Sequence, residues 1–306
     1  MSTAQTPAGW QSIRELGQFR AVLDSPKRGA LVWLAVEYIA RIHSLLIPDG
    51  MSLAEVVEGC AEGRLDRAAV LDAFRVFQQA HYTPRIVRAQ DSDSLIDIGA
   101  YDSHSSEAVA AAAYLVVGDL IDSDDERFHS TREQFWLVLG VAECCRHAVM
   151  ATIPDVPWRE EELPPELESS RAAFLKLSPA QFRELRRMPE LNPTLHAVWQ
   201  ALDEASSRRE ARRNAAWEAE EVVQCDLVRE VVAPPLVTGI TPPLRTSTVL
   251  SLARGIYEHR AFDRMPILAD SLQDAGCEDV DVLDHCRGPG PHVRGCWVVD
   301  LVLGKE

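Results

Sequence analysis

Two proline-rich breaks constrain this chain more than any other feature. Residues 153–168, IPDVPWREEELPPELE, carry four prolines and five glutamates, and residues 233–245, APPLVTGITPPLR, carry four prolines. Proline lacks a backbone N–H and its ring clashes with the preceding turn, so helix propagation fails in both stretches. Around them helical signals dominate. Ile13, Leu16, Phe19, Val22 and Leu23 recur at helical spacing, with Pro26 following a stop. Leu31 to Ile47 reads as a buried helix in which Glu37 and Arg41, four apart, can pair. After the PDG break at 48–50, Ser52 and Glu55 predict a capping-box start for a helix over 52–61. Asp66 predicts the N-cap of the next helix, whose stripe is Val70, Leu71, Phe74 and Phe77. Residues 83–104, with Pro84, short β-prone pieces and several Asp and Ser, predict an irregular excursion.

An Ala-rich run from Ser106 to about Ser123 predicts a closely packed internal helix, and 124–152 another carrying Phe135, Trp136, Leu139 and Cys144. Beyond the first break, Ser178-Pro179 predicts an N-cap followed by proline at the first helical position. Pro193 opens a long helix reaching about 232. Short helices are expected at 246–259, 263–275, 278–287 and 293–303. The fold class is therefore all-α, a multi-helix bundle or irregular helical array with a short β excursion near 83–104. The expected organisation is an N-terminal helical domain over 1–152, a linker or strap over 153–168, a long-helix region over 169–232, a Pro-rich loop over 233–245 and a compact C-terminal unit over 246–306.

Charge and cysteine usage narrow the partners. The 31 basic and 47 acidic residues leave a net charge of −16, which opposes nucleic-acid backbones and anionic membranes. The one basic run, Arg208-Arg209-Glu210-Ala211-Arg212-Arg213, lies among Asp203, Glu204, Glu218 and Glu220 and reads as a solvated helix face. The longest apolar run is interrupted by Glu37, Arg41 and His43, so no membrane span is expected. Seven cysteines and an N-terminus without a basic start or apolar core predict reduced thiols and a cytoplasmic location. No dinucleotide fingerprint, phosphate loop, His-Glu-x-x-His or Gly-x-Ser-x-Gly motif is present. The acidic stretches DSDS (91–94) and DSDDE (122–126) lack the pattern of a calcium loop, and the second suits a helix N-terminus. Cys144 and Cys145 are adjacent, which suits core packing and not a redox pair.

One cluster stands out. Cys277, His285, Cys286, His292 and Cys296 fall within twenty residues around the turn Gly288-Pro289-Gly290-Pro291. On a helix over 278–287, Cys277, Asp281 and His285 share a face, whereas Cys286 falls with Val282 toward the core. On a helix beginning near His292, His292 and Cys296 share a face. Three readings stay open. The segment is a hairpin joint whose histidines satisfy backbone groups; or it binds zinc through His285, His292, Cys296, Cys277 and Asp281; or Arg287 and Arg294, flanking the turn, bind an anion or peptide.

The stretch Ala253 to Glu306, ARGIYEHRAFDRMPILADSLQDAGCEDVDVLDHCRGPGPHVRGCWVVDLVLGKE, resembles the C-terminal tail of a large paralogous group of uncharacterised proteins in planctomycete bacteria of the Gemmata type. QCDLVREVVAPP (224–235) and LAEVVEGCAEGRLDRAAV (53–70) are similar to segments of the same group, as is RIHSLL (41–46). The related proteins often carry several cysteines in the buried helix, where this chain has Val36, Tyr38 and Ile39, which weakens a metal site shared between that helix and the tail. The resemblance implies a bacterial, cytoplasmic, helical protein and carries no reaction with it. Function then divides between a non-enzymatic interaction or scaffold protein with a protein partner, a zinc-binding protein or metal-assisted hydrolase using His285, His292 and Asp281 or Asp284, and a small-ligand sensor with a pocket beneath the helix over 106–121.

Overall fold

A computed structural model describes residues 13–19, 28–83, 86–88, 95–97, 100–121, 131–154, 156–157, 160–234 and 240–305. The acidic stretches 91–94 and 122–126 and Pro26 lie outside the described residues, as do the side chains of Phe135 and Trp136. The architecture is all-α. It forms two compact units. One comprises residues 1–148 and 220–306, and the other residues 149–219.

In the first unit, α1 (Leu16–Phe19) precedes α2 (Arg28–Arg41), whose Leu31, Leu34, Tyr38 and Ile39 are buried. The expected pairing of Arg41 with Glu37 does not form. Arg41 instead grips Glu220 with two bonds of 2.7 Å, because a fork-shaped guanidinium gains more from a bidentate carboxylate than from a single contact along its own helix. α3 (Pro48–Ala61) begins four residues before the Ser52 start expected from its capping pattern. Pro48 occupies the first helical position, where its missing N–H costs nothing, and the Ser52 hydroxyl donates back to the Pro48 carbonyl at 3.1 Å. α4 (Arg67–His81) starts where Asp66 accepts a bond from the Ala69 amide at 2.9 Å and buries Val70, Phe74 and Phe77.

The excursion holds two short antiparallel pairs. β1 (Tyr82–Thr83) pairs with β4 (Ala100–Tyr101), and β2 (Ile86–Arg88) with β3 (Leu95–Asp97). α5 (His104–Ile121) carries the Ala-rich run. Ala108, Val109, Ala112, Ala113 and Leu115 are fully buried, and α5 packs against α2, α3 and α4. α6 (Thr131–Ala151) then leads out of this unit.

The second unit holds α7 (Pro165–Glu168), α8 (Arg171–Leu175), α9 (Pro179–Arg187) and the first part of α10 (Pro193–Val231). Ser178 and Gln181 complete a reciprocal capping box around Pro179. Phe174, Leu185, Val198 and Leu202 form its core. Two arginines of the basic run are matched by acids, Arg208 with Glu204 at 3.3 Å and Arg209 with Glu161, and Arg212 donates to the Arg208 carbonyl at 3.5 Å.

The last turns of α10 return to the first unit, followed by α11 (Ser247–His259), α12 (Met265–Asp274), α13 (Val280–Arg287) and α14 (Trp297–Leu303). These four short helices share one core that includes Ile256, Leu268, Leu272, Val298 and Val302. α14 starts four residues later than its apolar pattern predicts. His292 to Cys296 form a turn, because Gly295 adopts φ +84° and cannot continue a right-handed helix. No described helix is long and apolar enough to cross a membrane.

Candidate metal centre

α10 ends in Asp226-Leu227-Val228-Arg229-Glu230-Val231, with Val232 next along the chain. The flanking Leu227, Val228, Val231 and Val232 are buried, and they carry the Glu230 carboxylate inward with them. α13, capped by Asp279 at the amides of Asp281 and Val282, brings His285 to the same place. The Gly-Pro turn then reverses the chain, and a Cβ at Gly295 would lie 2.7 Å from the Cβ of Trp33 on α2. That close approach seats the turn and delivers His292 and Cys296.

Glu230, His285, His292 and Cys296 converge so that one ligand atom from each lies within 4.8 Å of every other. His285 Nε2 is 3.3 Å from Cys296 Sγ and 3.3 Å from Glu230 Oε2, and His292 Nδ1 is 3.1 Å from Glu230 Oε2. Bond lengths of about 2.0–2.3 Å to zinc place neighbouring ligands of a tetrahedron roughly 3.3–3.6 Å apart. The shorter edges of the quartet thus already approach tetrahedral size. The side chains are 3% exposed at Glu230, 8% at His292 and 14% at His285, and Cys296 is 1% exposed.

Outer contacts fix the rings. His292 Nε2–H donates to the Gly288 carbonyl at 3.3 Å, which leaves Nδ1 facing the centre. Trp297 Nε1–H donates to His285 Nδ1 at 3.2 Å, so in the metal-free state the proton of a neutral His285 sits on Nε2 and points at Glu230 and Cys296. The Val293 amide donates to Glu230 at 3.4 Å. Burial drives the Glu230 carboxyl upward, but the hydrogen bonds and charges of His285 and His292 outweigh it and hold the group near 2. Burial likewise disfavours charge on His292, and its bond to Glu230 reverses the balance and raises it. Burial keeps the Cys296 thiol well above its ordinary value.

The remaining candidates lie elsewhere. Cys277 and Cys286 belong to the apolar core, and burial pushes the Cys286 thiol up to about 12. Asp281 sits in the first turn of α13, outside the quartet. The helix expected to align His292 with Cys296 is absent, and the turn brings them together instead. Arg287 binds Asp270 at 2.9 Å and Gln273 at 2.8 Å, while Arg294 pairs with Glu62 and donates to the Tyr257 and Glu258 carbonyls at 3.3 Å. Both guanidinium groups are committed to partners within the protein. Glu230 is the one member of the quartet that lies outside the sequence cluster at 277–296. Its signal was a lone carboxylate among four apolar residues at a helix end, inside the segment 224–235.

No family model, no curated protein and no solved structure matches this chain.

Proposed function

We propose that this protein is a non-catalytic helical scaffold whose C-terminal helices are fastened to the end of α10 by a zinc ion held by Glu230, His285, His292 and Cys296. The convergence of four ligand atoms of the right types within 4.8 Å carries this reading. The set offers two imidazoles, a thiol and a carboxylate, all known zinc ligands, and four protein ligands in a buried site leave no open position for substrate water. That closure favours a structural metal over a hydrolytic one, which needs a vacant coordination position. All seven cysteines are free thiols, which suits a reducing, cytoplasmic compartment. The C-terminal unit draws one ligand from α10 and packs its turn on α2, so a protein partner is best sought with the full chain.

Loading rearranges protons. His292 gives up its Nδ1 proton and Cys296 its thiol proton, and His285 moves its proton to Nδ1 so that Nε2 can bind. His285 Nδ1 then no longer accepts from Trp297, and the indole loses that bond. Metal analysis of untagged, metal-replete full-length protein should give one zinc per chain at this site, with no zinc there in His292→Ala. Zinc titration should change tryptophan emission, and Trp297→Phe should abolish the change. Wild-type protein that holds no zinc here, and that melts identically with and without chelator, contradicts the proposal. The quartet would then be a metal-free ion-paired cluster, with imidazolium His292 on Glu230.

A further inference from the structure

The first proline-rich break and the basic run meet in the second unit, and the metal centre uses neither. Residues 153–164 and residues 205–212 of α10 line a cleft of about 680 Å³, within the range of about 300–1,000 Å³ usual for small-molecule sites. The strap brings Glu160, Glu161 and Glu162 to the cleft, and α10 brings Arg208, Arg209 and Arg212. Ile153, Val156, Leu163 and Ala205 supply apolar lining. Two of the six charges are consumed in building the cleft. Glu161 and Arg209 pair with each other, both mostly buried, and Arg171 Nη2 donates to the Glu161 carbonyl at 2.6 Å. Parting a buried pair strands two charges, so strap and helix are tied together before any ligand arrives. The other four charged residues are exposed. Arg208 shares its charge with Glu204. Arg212 donates its Nε to the Arg208 carbonyl, and among the described residues its two terminal nitrogens have no partner.

We propose that this cleft binds a small zwitterion with an apolar body, the chemistry shared by apolar amino acids and short apolar peptides with free termini. The ligand carboxylate sits on the Arg212 guanidinium, whose terminal N–H groups can meet it in two parallel bonds. The ligand ammonium faces Glu160 and Glu162 on the strap, and the apolar body covers the aliphatic lining. A ligand of single charge fits less well. An anion gains from Arg212 and is opposed by two glutamates, and a cation meets the reverse. A zwitterion aligned from helix to strap gains at both ends. The site is separate from the metal centre, because every lining residue falls in the unit 149–219 and no member of the quartet does.

The test is calorimetric titration of full-length protein with trileucine and with leucine, each also in its N-acetylated and its C-amidated form. Saturable binding of a single ligand per chain is expected from trileucine, leucine or both, and whichever binds identifies the source. Acetylation and amidation should each weaken binding at least tenfold in wild type. Glu160→Gln/Glu162→Gln should erase the acetylation penalty and keep the amidation penalty, and Arg212→Gln should do the reverse. All three positions are exposed, so thermal melts of the variants should match the wild type. Failure of both free ligands to bind at millimolar concentration overturns the proposal. So do terminal modifications that cost the same in wild type and in both variants.

Discussion

Two clusters in this protein join a pair of histidines to a glutamate, yet they differ in almost everything else. Around Glu230 the group is enclosed, its rings are oriented by the Gly288 carbonyl and the Trp297 indole, and its ligand atoms sit close together. Around Glu107, His104 of α5 stacks on His147 of α6 with ring centroids 4.7 Å apart, and the side chains of His104 and Glu107 are half open to solvent. Burial is the variable that separates them. In a low-dielectric interior an ion pair is strong when complete and costly when broken, whereas near water both effects shrink. The buried cluster must therefore be complete for the fold to hold, with metal or without it, and the exposed one need not be.

Removing one histidine from each cluster breaks the comparison most sharply. His292→Ala removes the nearer of two imidazoles from the Glu230 carboxylate, which is 3% exposed, and leaves that buried charge with only His285 and the Val293 amide. Breaking a buried pair in this way costs about 3–5 kcal/mol, and zinc at a thousandfold excess over its Kd adds roughly 4 kcal/mol that the variant forgoes. His147→Ala, at a partly exposed position, should cost about 0.5 kcal/mol. Urea unfolding of both variants at neutral pH measures the difference. Equal losses would remove burial as the distinguishing cause.

The next effect tests what shapes the enclosed site. Gly295 has φ +84°, and a side chain there meets Trp33 Cβ at 2.7 Å and Cγ at 2.8 Å. Left-handed strain of about 1–2 kcal/mol and overpacking of about 1–3 kcal/mol should make Gly295→Ala lose on the order of 2–5 kcal/mol. Because the turn delivers His292 and Cys296, the variant should also bind zinc at the buried site more weakly while keeping its helicity. Unchanged zinc affinity would show that the turn does not set the ligand geometry.

A smaller effect probes the charge around the enclosed site. Burial raises the Glu37 carboxyl to about 7, with Arg260 opposing the shift, Glu58 and Glu230 adding to it, and Arg294 opposing it. Its ordinary value is 4.5, so between pH 4.5 and 7 the unfolded chain releases a proton that the folded chain keeps. Stability therefore falls as pH rises through that window and stays low above it. Glu37→Gln should recover roughly 2 kcal/mol at pH 8 and close to nothing at pH 4.5. Thermal melts at the two pH values check the sign, and a variant less stable at pH 8 refutes it.

Local chemistry made much of this fold legible. Asp66 and Ser178 announced their helices because a cap is decided within one turn of sequence, and the stripe of Val70, Phe74 and Phe77 needs only a period of 3.6. Errors arose where the deciding partner was distant or where two local signals competed. Ser52 and Glu55 mimicked a capping box inside a helix that Pro48 had already started. Arg41 passed over its neighbour for a carboxylate 179 residues away. In the buried cluster, His285, His292 and Cys296 could be picked out by density, but their phase was wrong: helical spacing suggested a convergence that the turn at Gly295 achieves. Glu230 was invisible to the cluster because it lies 62 residues before His292 and meets it only through tertiary packing.

The finest test lies beside the exposed cluster on α6, at a residue that has a twin next to it in the sequence. Cys144 is partly buried, whereas Cys145 is fully buried with its sulfur against the Tyr38 carbonyl. A helical step of about 100° separates the two, enough to send one sulfur to a polar surface and the other to the core. Serine at 144 puts its hydroxyl at a partly exposed position where water can satisfy it, so Cys144→Ser should change stability by less than about 0.5 kcal/mol. Serine at 145 places a more polar group where only one acceptor is at hand, and it should cost about 1–2 kcal/mol. Paired denaturation curves in the presence of chelator isolate this from any metal effect. If both substitutions cost the same, the two sulfurs occupy equivalent surroundings, and the polar face assigned to α6 is wrong.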